Sequence, residues 1–351
     1  MEKLSVIYGD NAYYMAMSLL DECKPEEGLD VDAMIVIKPN LVVAKPWTSG
    51  ATTNPELCHA VIEYFLNKGF SNLMVTEGSW VGEDTKNAFE VCGYNSLCEK
   101  YNIPLLDTKY DDFITKTYKG YEFEISKTVE QADLIVNLPV IKGHCQTDIT
   151  CALKNLKGVI SDKEKRRFHS LGLHTPIAYL NAVIDNVFTI ADGIFGDLDF
   201  EEGGNPVKMD TMIASFDRVL IDSYAATLMS YNPLSIGYID IAHKENVGQL
   251  YDGNISALNS PNVTAKLNMS HKVSRLKKYI DEDMACSACV GNLIRAINSI
   301  GYSQPTKISV GQGFKGKGVE VGIGLCANRD NKCNACPPTS MQIADYLKYE
   351  L

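Results

Sequence analysis

Short apolar segments alternate with helical patterns along most of this chain, and this alternation restricts its possible folds more than any other feature. The predicted strands are Ser5–Tyr8, Ala33–Ile37, Asn72–Thr76, Pro104–Leu106, Asp133–Asn137, Phe188–Ala191 and Met212–Ser215. The predicted helices between them include Glu56–Asn67, Thr85–Tyr101, Asp148–Ile160, Thr175–Val187 and Arg218–Ser230. Strands rich in Val and Ile that alternate with helices indicate an α/β fold with a mainly parallel sheet flanked by helices. In such a sheet, functional residues gather in loops at the carboxyl ends of the strands.

Charge and composition exclude several classes of protein. The 351 residues carry a formal net charge of −11, which argues against a protein that coats nucleic acid, because that task needs neutralisation of phosphates. The longest apolar runs are far shorter than the roughly 20 residues that span a bilayer. Residues 1–9 enter a strand pattern directly, without the apolar core of a signal peptide. We therefore expect a cytoplasmic protein with neither nucleic acid nor a membrane as its partner.

The cysteines fall into two groups. There are eleven, and in a reducing compartment they are not expected to form a disulfide framework. Six are scattered through the N-terminal part of the chain without ligand spacing, which is typical of buried packing positions. The other five are concentrated near the C terminus, at Cys286, Cys289, Cys326, Cys333 and Cys336.

The C-terminal cysteines have the spacing of metal ligands. Cys286 and Cys289 open a predicted helix, whose positive end favours thiolates. Cys326 follows a Gly-rich strand end, and Cys336 precedes two prolines, as the last ligand of many iron–sulfur proteins does. We predict a [4Fe-4S] cluster on these four residues, with Cys333 as a non-ligand. The alternatives are a structural zinc site, in which Cys333 and Cys336 form the second pair, and incidental thiols or a redox pair.

The segment Pro139–Gly158 carries the strongest functional pattern outside the cysteines. It begins as a strand, breaks at a loop and continues as the predicted helix from Asp148, whose apolar stripe faces the core. By helical counting, Thr147, Thr150 and Lys154 share a separate stripe. A solvated helix face would give the same projection.

Lys142 and His144 lie where this predicted strand ends. Together with the free N–H groups of the helix start and the threonine hydroxyls, they would surround a crevice suited to a carboxylate, a phosphate or an enolate. His144 can transfer a proton or bind a metal, although a structural histidine is an alternative. We predict Lys142, His144 and Lys154 as catalytic residues that act on a small anionic substrate.

Two other predicted strand ends support the same crevice. Lys38 and Asn40 follow one strand, and Glu77 ends the next strand along the chain. Carboxyl ends of parallel strands meet at one edge of a sheet, so these side chains are expected to lie near the crevice. Simple surface charges are the alternative for Lys38 and Glu77.

Three aspartates in the middle of the chain are also candidates. Asp192 begins a predicted tight turn, and Asp217 can cap the helix that follows it. Asp222 lies one turn into an otherwise apolar helix, where a buried carboxylate needs a partner such as Lys154 or Lys38. The predicted substrate-binding residues are Lys38, Asn40, Glu77, Thr147, Thr150, Asn155, Asp192, Asp217 and Asp222.

These stretches resemble a known family, the domain of unknown function 362 family. The stretches that carry the resemblance are Lys38-Pro39-Asn40-Leu41, Lys142-x-His144, Thr150, Ala152-Leu153-Lys154-Asn155-Leu156-x-Gly158, Asp192-Gly193, Ser215-Phe216-Asp217-Arg218-Val219-x-x-Asp222 and Cys336-Pro337-Pro338. The resemblance covers most of the chain and implies a four-iron cluster site, since family members often carry one in an inserted ferredoxin-like module or near the C terminus, and this chain looks like the second kind. The family is distantly similar to the lactate racemase family, which implies a two-lobed fold but no reaction. No motif here implies the nickel cofactor of that family.

We expect a main α/β domain at 1–246, a connecting segment at 247–281 and a smaller C-terminal α/β cluster-binding unit at 282–351. The leading hypothesis is a redox enzyme that reduces a small anion in a cationic cleft beside the cluster, with an electron donor such as a ferredoxin. One alternative is a nonredox, cluster-dependent dehydratase or isomerase. Another is a non-enzymatic electron-transfer or metal-sensing protein.

Overall fold

The computed structural model describes residues 3–261, 272–327 and 333–350. The chain divides into two compact units, the first made of Met1–Lys165 and His174–Met269 and the second of Arg166–Leu173 and Ser270–Leu351. Within the described ranges, every helix is too short or too polar to span a bilayer.

The strands of the first unit, in chain order, are β1 (Ser5–Tyr8), β2 (Ile35–Pro39), β3 (Leu73–Glu77), β4 (Leu105–Asp107), β5 (Phe113–Tyr118), β6 (Tyr121–Ser126), β7 (Leu134–Leu138), β8 (Val140–His144), β9 (Asp148–Thr150), β10 (Val187–Asp197), β11 (Pro206–Ser215) and β12 (Ser256–Ala257). Its helices are α1 (Ala12–Cys23), α2 (Pro55–Asn67), α3 (Thr85–Val91), α4 (Tyr94–Tyr101), α5 (Lys127–Glu130), α6 (Ala152–Asn155), α7 (Asp162–Leu171), α8 (His174–Asn181), α9 (Arg218–Leu228) and α10 (Gly237–Lys244). Helix α7 continues into the second unit.

A ten-stranded sheet forms the centre of the first unit, in the order β12-β1-β11-β10-β7-β2-β3-β4, with β8 on β10 and β9 on β8. Most of its pairs are parallel, and only the β1–β11, β10–β11 and β8–β9 pairs are antiparallel. A separate hairpin is formed by β5 and β6. The predicted α/β class, with a mainly parallel sheet between helices, is confirmed.

Local sequence explains where the helices begin and end. The side chain of Asn54 accepts a hydrogen bond from the backbone N–H of Glu56 and Pro55 fills the first turn, so α2 starts there. The helix predicted over Thr85–Tyr101 is two helices, because Gly93 adopts a left-handed backbone (φ 82°) between α3 and α4. Apolar residues of α1, α2 and the central strands form one continuous core.

The second unit contains a three-stranded parallel sheet, in the order β13-β14-β15. Its strands are β13 (Ile280–Glu282), β14 (Ile308–Val310) and β15 (Gly322–Ile323), and its helices are α11 (Lys272–Lys277), α12 (Ser287–Ser299), α13 (Gly324–Ala327) and α14 (Ser340–Glu350). Helices α12 and α14 pack against each other. This unit is therefore a small α/β structure that carries all five C-terminal cysteines.

Candidate functional site

The polar residues around Lys142 lie on a hairpin rather than on the predicted helix. Strand β8 turns into β9 with Lys142 opposite Thr150, and Asp148, the first residue of β9, takes a left-handed φ of 63°. The predicted helix start at Asp148 is wrong, since the helical segment begins only at Ala152, with the four residues of α6 followed by a 3-10 helix over Leu156–Val159. Thr147, Thr150 and Lys154 therefore do not share a helical stripe.

The Lys142 ammonium is fully buried and donates to three oxygen atoms. Its Nζ lies 2.9 Å from Asn40 Oδ1, 2.7 Å from the Ala51 carbonyl and 2.9 Å from the Glu201 carbonyl. Burial lowers the pKa of Lys142 to about 8. An ammonium has three hydrogens, so these three acceptors fix both its position and its orientation.

His144 has a defined tautomer. Its Nδ1 accepts hydrogen bonds of 3.1 Å from the backbone N–H groups of Gln146 and Thr147, so the ring proton lies on Nε2. That nitrogen lies 3.1 Å from Glu201 Oε2 and donates to it. Burial, and then the charge of Lys154, lower the pKa of His144 to about 3. The imidazole is therefore a neutral hydrogen-bond donor at physiological pH.

Glu201 joins the three predicted catalytic residues, and the sequence did not single it out. Its Oε1 forms an ion pair with Lys154, its Oε2 accepts from His144, and its backbone carbonyl accepts from Lys142. Burial disfavours the ionised carboxyl, but Lys154 and His144 outweigh this and hold the pKa of Glu201 well below its usual range. We call Lys142, His144, Lys154 and Glu201 the Glu201 centre.

Asp197 organises the loop that carries Glu201. Its Oδ1 accepts from the N–H groups of Asp199 (2.9 Å) and Phe200 (2.7 Å), and its Oδ2 accepts from Gly204 N–H (2.7 Å). One buried carboxylate at the end of β10 therefore holds both ends of the loop. In the sequence, Gly203-Gly204-Asn205-Pro206 marks the end of this loop.

Lys38 and Glu77 form a buried ion pair at the ends of the adjacent parallel strands β2 and β3. Lys38 Nζ lies 3.0 Å from Glu77 Oε1, and their side chains are 0% and 3% exposed. The carboxylate also accepts from the N–H groups of Leu41 (2.8 Å) and Gly78 (2.7 Å). Burial lowers the pKa of Lys38. These two residues are therefore not surface charges.

Asparagine side chains connect this ion pair to the Glu201 centre. Asn155 Oδ1 accepts from Asn40 Nδ2 at 2.8 Å and from Lys38 Nζ at 3.4 Å. Asn155 Nδ2 donates to Asn137 Oδ1 at 2.8 Å. Since Asn40 also accepts from Lys142, hydrogen bonds run without interruption from Lys38 to Lys142. Asn137 was not among the predicted residues.

The predicted aspartates bind backbone N–H groups. Asp192 accepts from Asn54 and Ile194, both at 3.0 Å, and burial raises its pKa to about 6. Asp217 caps α9 as predicted, by accepting from the N–H of Leu220 at 2.9 Å. Both carboxylates stabilise turns and helix starts.

The sequence suggested that Asp222 pairs with Lys154 or Lys38, but in the structure its partners are backbone N–H groups. Its oxygens accept from the N–H groups of Ala152 (2.6 Å) and Leu153 (3.3 Å) at the start of α6. Burial raises the pKa of Asp222 to about 7. The N–H groups at the start of α6 were expected to face a bound anion, but Asp222 already accepts their hydrogen bonds. Any anion bound near this helix would therefore be held by side chains.

Among the predicted cluster ligands, Cys289 is the thiol whose pKa depends on the other three. Cys286 precedes the first turn of α12, and its hydrogen bond with Cys289 lowers the pKa of Cys286 to about 6. The same bond, burial and the negative charges of Cys336 and Cys326 raise the pKa of Cys289. The fifth cysteine, Cys333, is buried and its carbonyl accepts from Gly324 N–H at 2.9 Å.

Within the part of the chain that the structure describes, the cysteines form no disulfide bond. Among the described residues, no group of three or more His, Cys, Asp and Glu side chains is arranged so that it could hold a metal ion. Four cysteine thiols are the chemical type of donor that a [4Fe-4S] cluster takes, and the start of α12 favours ionised thiols, but the described residues do not bring three of these thiols together as ligands. Cys286, Cys289, Cys326 and Cys336 are the residues that would hold it.

The fold and the two groups of side chains define an α/β protein with a buried lysine, asparagine and glutamate network at the carboxyl ends of parallel strands, and a separate cysteine-rich unit. The chain belongs to the family described as Domain of unknown function (DUF362), whose model matches residues 35–227. The matched range contains the Lys38–Glu77 pair and the whole Glu201 centre. The family resemblance seen in the sequence is confirmed.

Two known proteins are similar to this chain. A thylakoid-associated protein of Synechocystis sp. is 23% identical over 209 residues, which cover 58% of this chain and 64% of that protein. This chain thus aligns with less than two thirds of the relative's length. The lactate racemase apoprotein of Thermoanaerobacterium thermosaccharolyticum is a solved structure with a TM-score of 0.38 and 14% identity, over 57% of this chain and 52% of that chain.

Proposed function

We propose that this protein is an iron–sulfur redox enzyme that binds a [4Fe-4S] cluster through Cys286, Cys289, Cys326 and Cys336 and acts on a small anionic substrate. The observation that carries the proposal is the proximity of the cysteine-bearing segments. Leu325 N–H donates to the Ala335 carbonyl at 3.2 Å, which brings the neighbours of Cys326 and Cys336 together, and a Cβ placed on Gly324 would lie 3.7 Å from Cys289 Sγ. Cys286 and Cys289 share one helix start, whereas Cys326 and Cys336 follow the strands β14 and β15, so the fold of the second unit decides whether the two pairs meet.

The thiols are suited to ligation. A thiolate, and not a thiol, is the metal ligand, and the pKa of Cys286 near 6 favours its ionised form at neutral pH. When bound, a four-iron cluster supplies one-electron transfer. The proposal therefore includes an external one-electron donor such as a ferredoxin, and a reducing cytoplasmic compartment in which thiols persist.

The Glu201 centre supplies the proposed anion site. It contains two lysine ammonium groups, one neutral imidazole and one carboxylate, so cations outnumber anions among its four members. Lys142 is held rigidly, whereas Lys154 and His144 present an N–H each to the same carboxylate. In this proposal, Lys154 and His144 bind the substrate anion and Lys142 fixes the loop around it.

Anaerobic purification followed by iron and zinc analysis, visible spectra and paramagnetic resonance tests the cluster. We expect about four iron atoms per chain and a brown protein that dithionite bleaches. Separate substitution of Cys286, Cys289, Cys326 and Cys336 by Ser is expected to abolish or destabilise the cluster. A colourless protein with one zinc and no iron would overturn the proposal.

Two variants are matched controls. Cys98→Ser changes a buried cysteine of the first unit and is expected to leave the iron content unchanged. Cys333→Ser tests the one C-terminal cysteine outside the proposed set, and it is also expected to retain iron. Loss of iron in Cys333→Ser, with retention in Cys326→Ser, would replace Cys326 by Cys333 in the ligand set.

The enzymatic part of the proposal is tested with the cluster intact. A viologen-linked assay over a panel of small organic anions measures turnover in the wild type, in Lys154→Met and in Lys163→Met, whose lysine is 74% exposed. We expect loss of turnover only in Lys154→Met. Equal rates in all three proteins would contradict a substrate site at the Glu201 centre.

A further inference from the structure

We infer that the Glu201 side chain is an internal occupant of a carboxylate-binding site, and that a small monocarboxylate displaces it. The inference rests on the proposed function and names the substrate class of that site. Its basis is one juxtaposition: the two carboxylate oxygens of Glu201 bind Lys154 and His144 separately, while its backbone carbonyl binds Lys142.

The donors form a built site that does not depend on Glu201. The side chains of His144 and Lys154 are 0% and 4% exposed. His144 is oriented from its other side by two backbone N–H groups, so Nε2–H points to the same place whatever lies there. Lys154 lies in the short helix α6, whose start is fixed by Asp222.

The geometry selects a carboxylate. The two donors belong to different side chains and each takes its own oxygen, so the ligand needs two acceptor oxygens on one central atom, and the present occupant, Glu201, supplies them from a carboxylate carbon. A halide offers one acceptor position, and a neutral amide or alcohol leaves the buried Lys154 ammonium without a countercharge, which is unfavourable. Only an anion can replace Glu201 here, and a carboxylate reproduces both contacts.

The Glu201 side chain is the part of this arrangement that can move. Its side chain is 13% exposed, more than either donor, so solvent reaches the site from the side of Glu201. The loop itself is anchored by Asp197 through the N–H groups of Asp199, Phe200 and Gly204, none of which involves the Glu201 side chain. A rotation of Glu201 can therefore open the site while the loop stays attached.

Acetate is the probe for the test, because it has the size of the terminal CH₂–COO⁻ group of Glu201. Calorimetric titration of the full chain compares the wild type with Glu201→Ala. We expect Glu201→Ala to bind acetate at least about tenfold more tightly, since the competing internal carboxylate is gone. In Glu201→Ala/Lys154→Met the gain is expected to disappear. Glu99→Ala removes an exposed helical carboxylate and is the control expected to behave as the wild type.

A second variant covers the case in which Glu201→Ala fails to fold. Glu201→Asp keeps the charge but shortens the side chain by one methylene, and it is expected to bind acetate about threefold to tenfold more tightly than the wild type. Absence of any gain in the folded variants, or a gain that persists without Lys154, would overturn the inference.

The result is separable from the test of the proposed function, because acetate binding is read without iron or turnover. An iron-free protein whose Glu201→Ala variant binds acetate would overturn the redox proposal and support the carboxylate site. An iron–sulfur protein whose variants gain no acetate binding would support the cluster and overturn the carboxylate site.

Discussion

The Glu201 centre and the C-terminal cysteines differ in how many of their hydrogen-bond and charge partners the folded chain itself supplies. In the centre, each Lys142 hydrogen has a protein acceptor, the His144 tautomer is fixed, and Lys154 has a countercharge. The thiols of Cys286 and Cys289 instead influence each other, and their proposed role begins only when they are deprotonated. Folding alone therefore orders the polar groups of the Glu201 centre, whereas the proposed role of the C-terminal cysteines requires a bound ligand.

The largest expected effect comes from breaking the prepared centre. Lys142→Met leaves the acceptors of Asn40, Ala51 and Glu201 without their donor, so we expect a loss of about 3–5 kcal/mol in the free energy of unfolding. Both tryptophans, Trp47 and Trp80, lie in the first unit, so their fluorescence during urea unfolding reports on it.

Lys208→Met is the control for this experiment. Lys208 is 44% exposed and lies 3.2 Å from Asp10 and 3.0 Å from Asp210, and an exposed pair of this kind contributes less than about 1 kcal/mol. If Lys142→Met and Lys208→Met lowered the free energy of unfolding by similar amounts, the buried Lys142 ammonium would contribute no more to stability than an exposed lysine.

A second prediction concerns pH. Between 6.5, the ordinary pKa of His144, and the folded value of about 3, the unfolded chain binds a proton that the folded chain excludes. The free energy of unfolding therefore falls as the pH falls through this window, and His144 contributes about 3 kcal/mol to the difference between about pH 7 and about pH 4.5. His144→Asn keeps an acceptor for the turn but cannot titrate, so its unfolding curves should depend less on pH. An unchanged difference between the two pH values would refute the neutral buried imidazole.

A third prediction tests how closely the buried ion pair is packed. A Cβ at Gly158 would lie 2.2 Å from Glu77 Oε1 and 2.6 Å from Lys38 Cε. Gly158→Ala is therefore expected to destabilise the first unit by about 1–3 kcal/mol, measured by the same tryptophan fluorescence.

Gly318→Ala is the matched control, because no atom lies within 4 Å of its added Cβ. It is expected to leave the unfolding of the first unit unchanged. A stable Gly158→Ala would mean that the Lys38–Glu77 pair has room to shift.

The smallest effect is expected at the thiols of the metal-free protein. Cys286→Ser keeps a polar group before α12, so in chelator-treated protein it should change the local stability of this helix by less than about 1 kcal/mol. Hydrogen–deuterium exchange of Ser287–Ser299 measures this change. If Cys286→Ser lost as much protection from hydrogen exchange in this helix as Lys142→Met loses in the first unit, the Cys286 thiol would stabilise the fold even in the metal-free protein.

The sequence predicted the sheet well where single segments are buried on both faces. The five residues of β2 and of β7 are all buried, and each segment reads as a strand without reference to its neighbours. The predicted helix start at Asp148 is wrong for a related reason. Its apolar stripe combines Ile149 of β9 with Leu153 of α6. Both side chains are buried although they belong to different elements, so the periodicity alone cannot distinguish the strand from the helix.

The candidate site was predicted in part. Lys38, Asn40 and Glu77 lie together because strand ends in a parallel sheet meet at one edge, and this could be read from the chain. Glu201 could not, since its role depends on a loop whose shape is set by hydrogen bonds to Asp197. No local pattern marks a glutamate that reaches across the fold to Lys154.

The attachment of the Glu201 loop through Asp197 has a consequence for redesign of the site. Asp197 holds residues near both ends of the loop, and Lys142 holds the Glu201 carbonyl between them. The side chain at position 201 can therefore be exchanged while the loop backbone keeps its anchors and the strands β10 and β11 keep their register. A library of variants at this one position would change which ligands Lys154 and His144 can bind, without a redesign of the sheet.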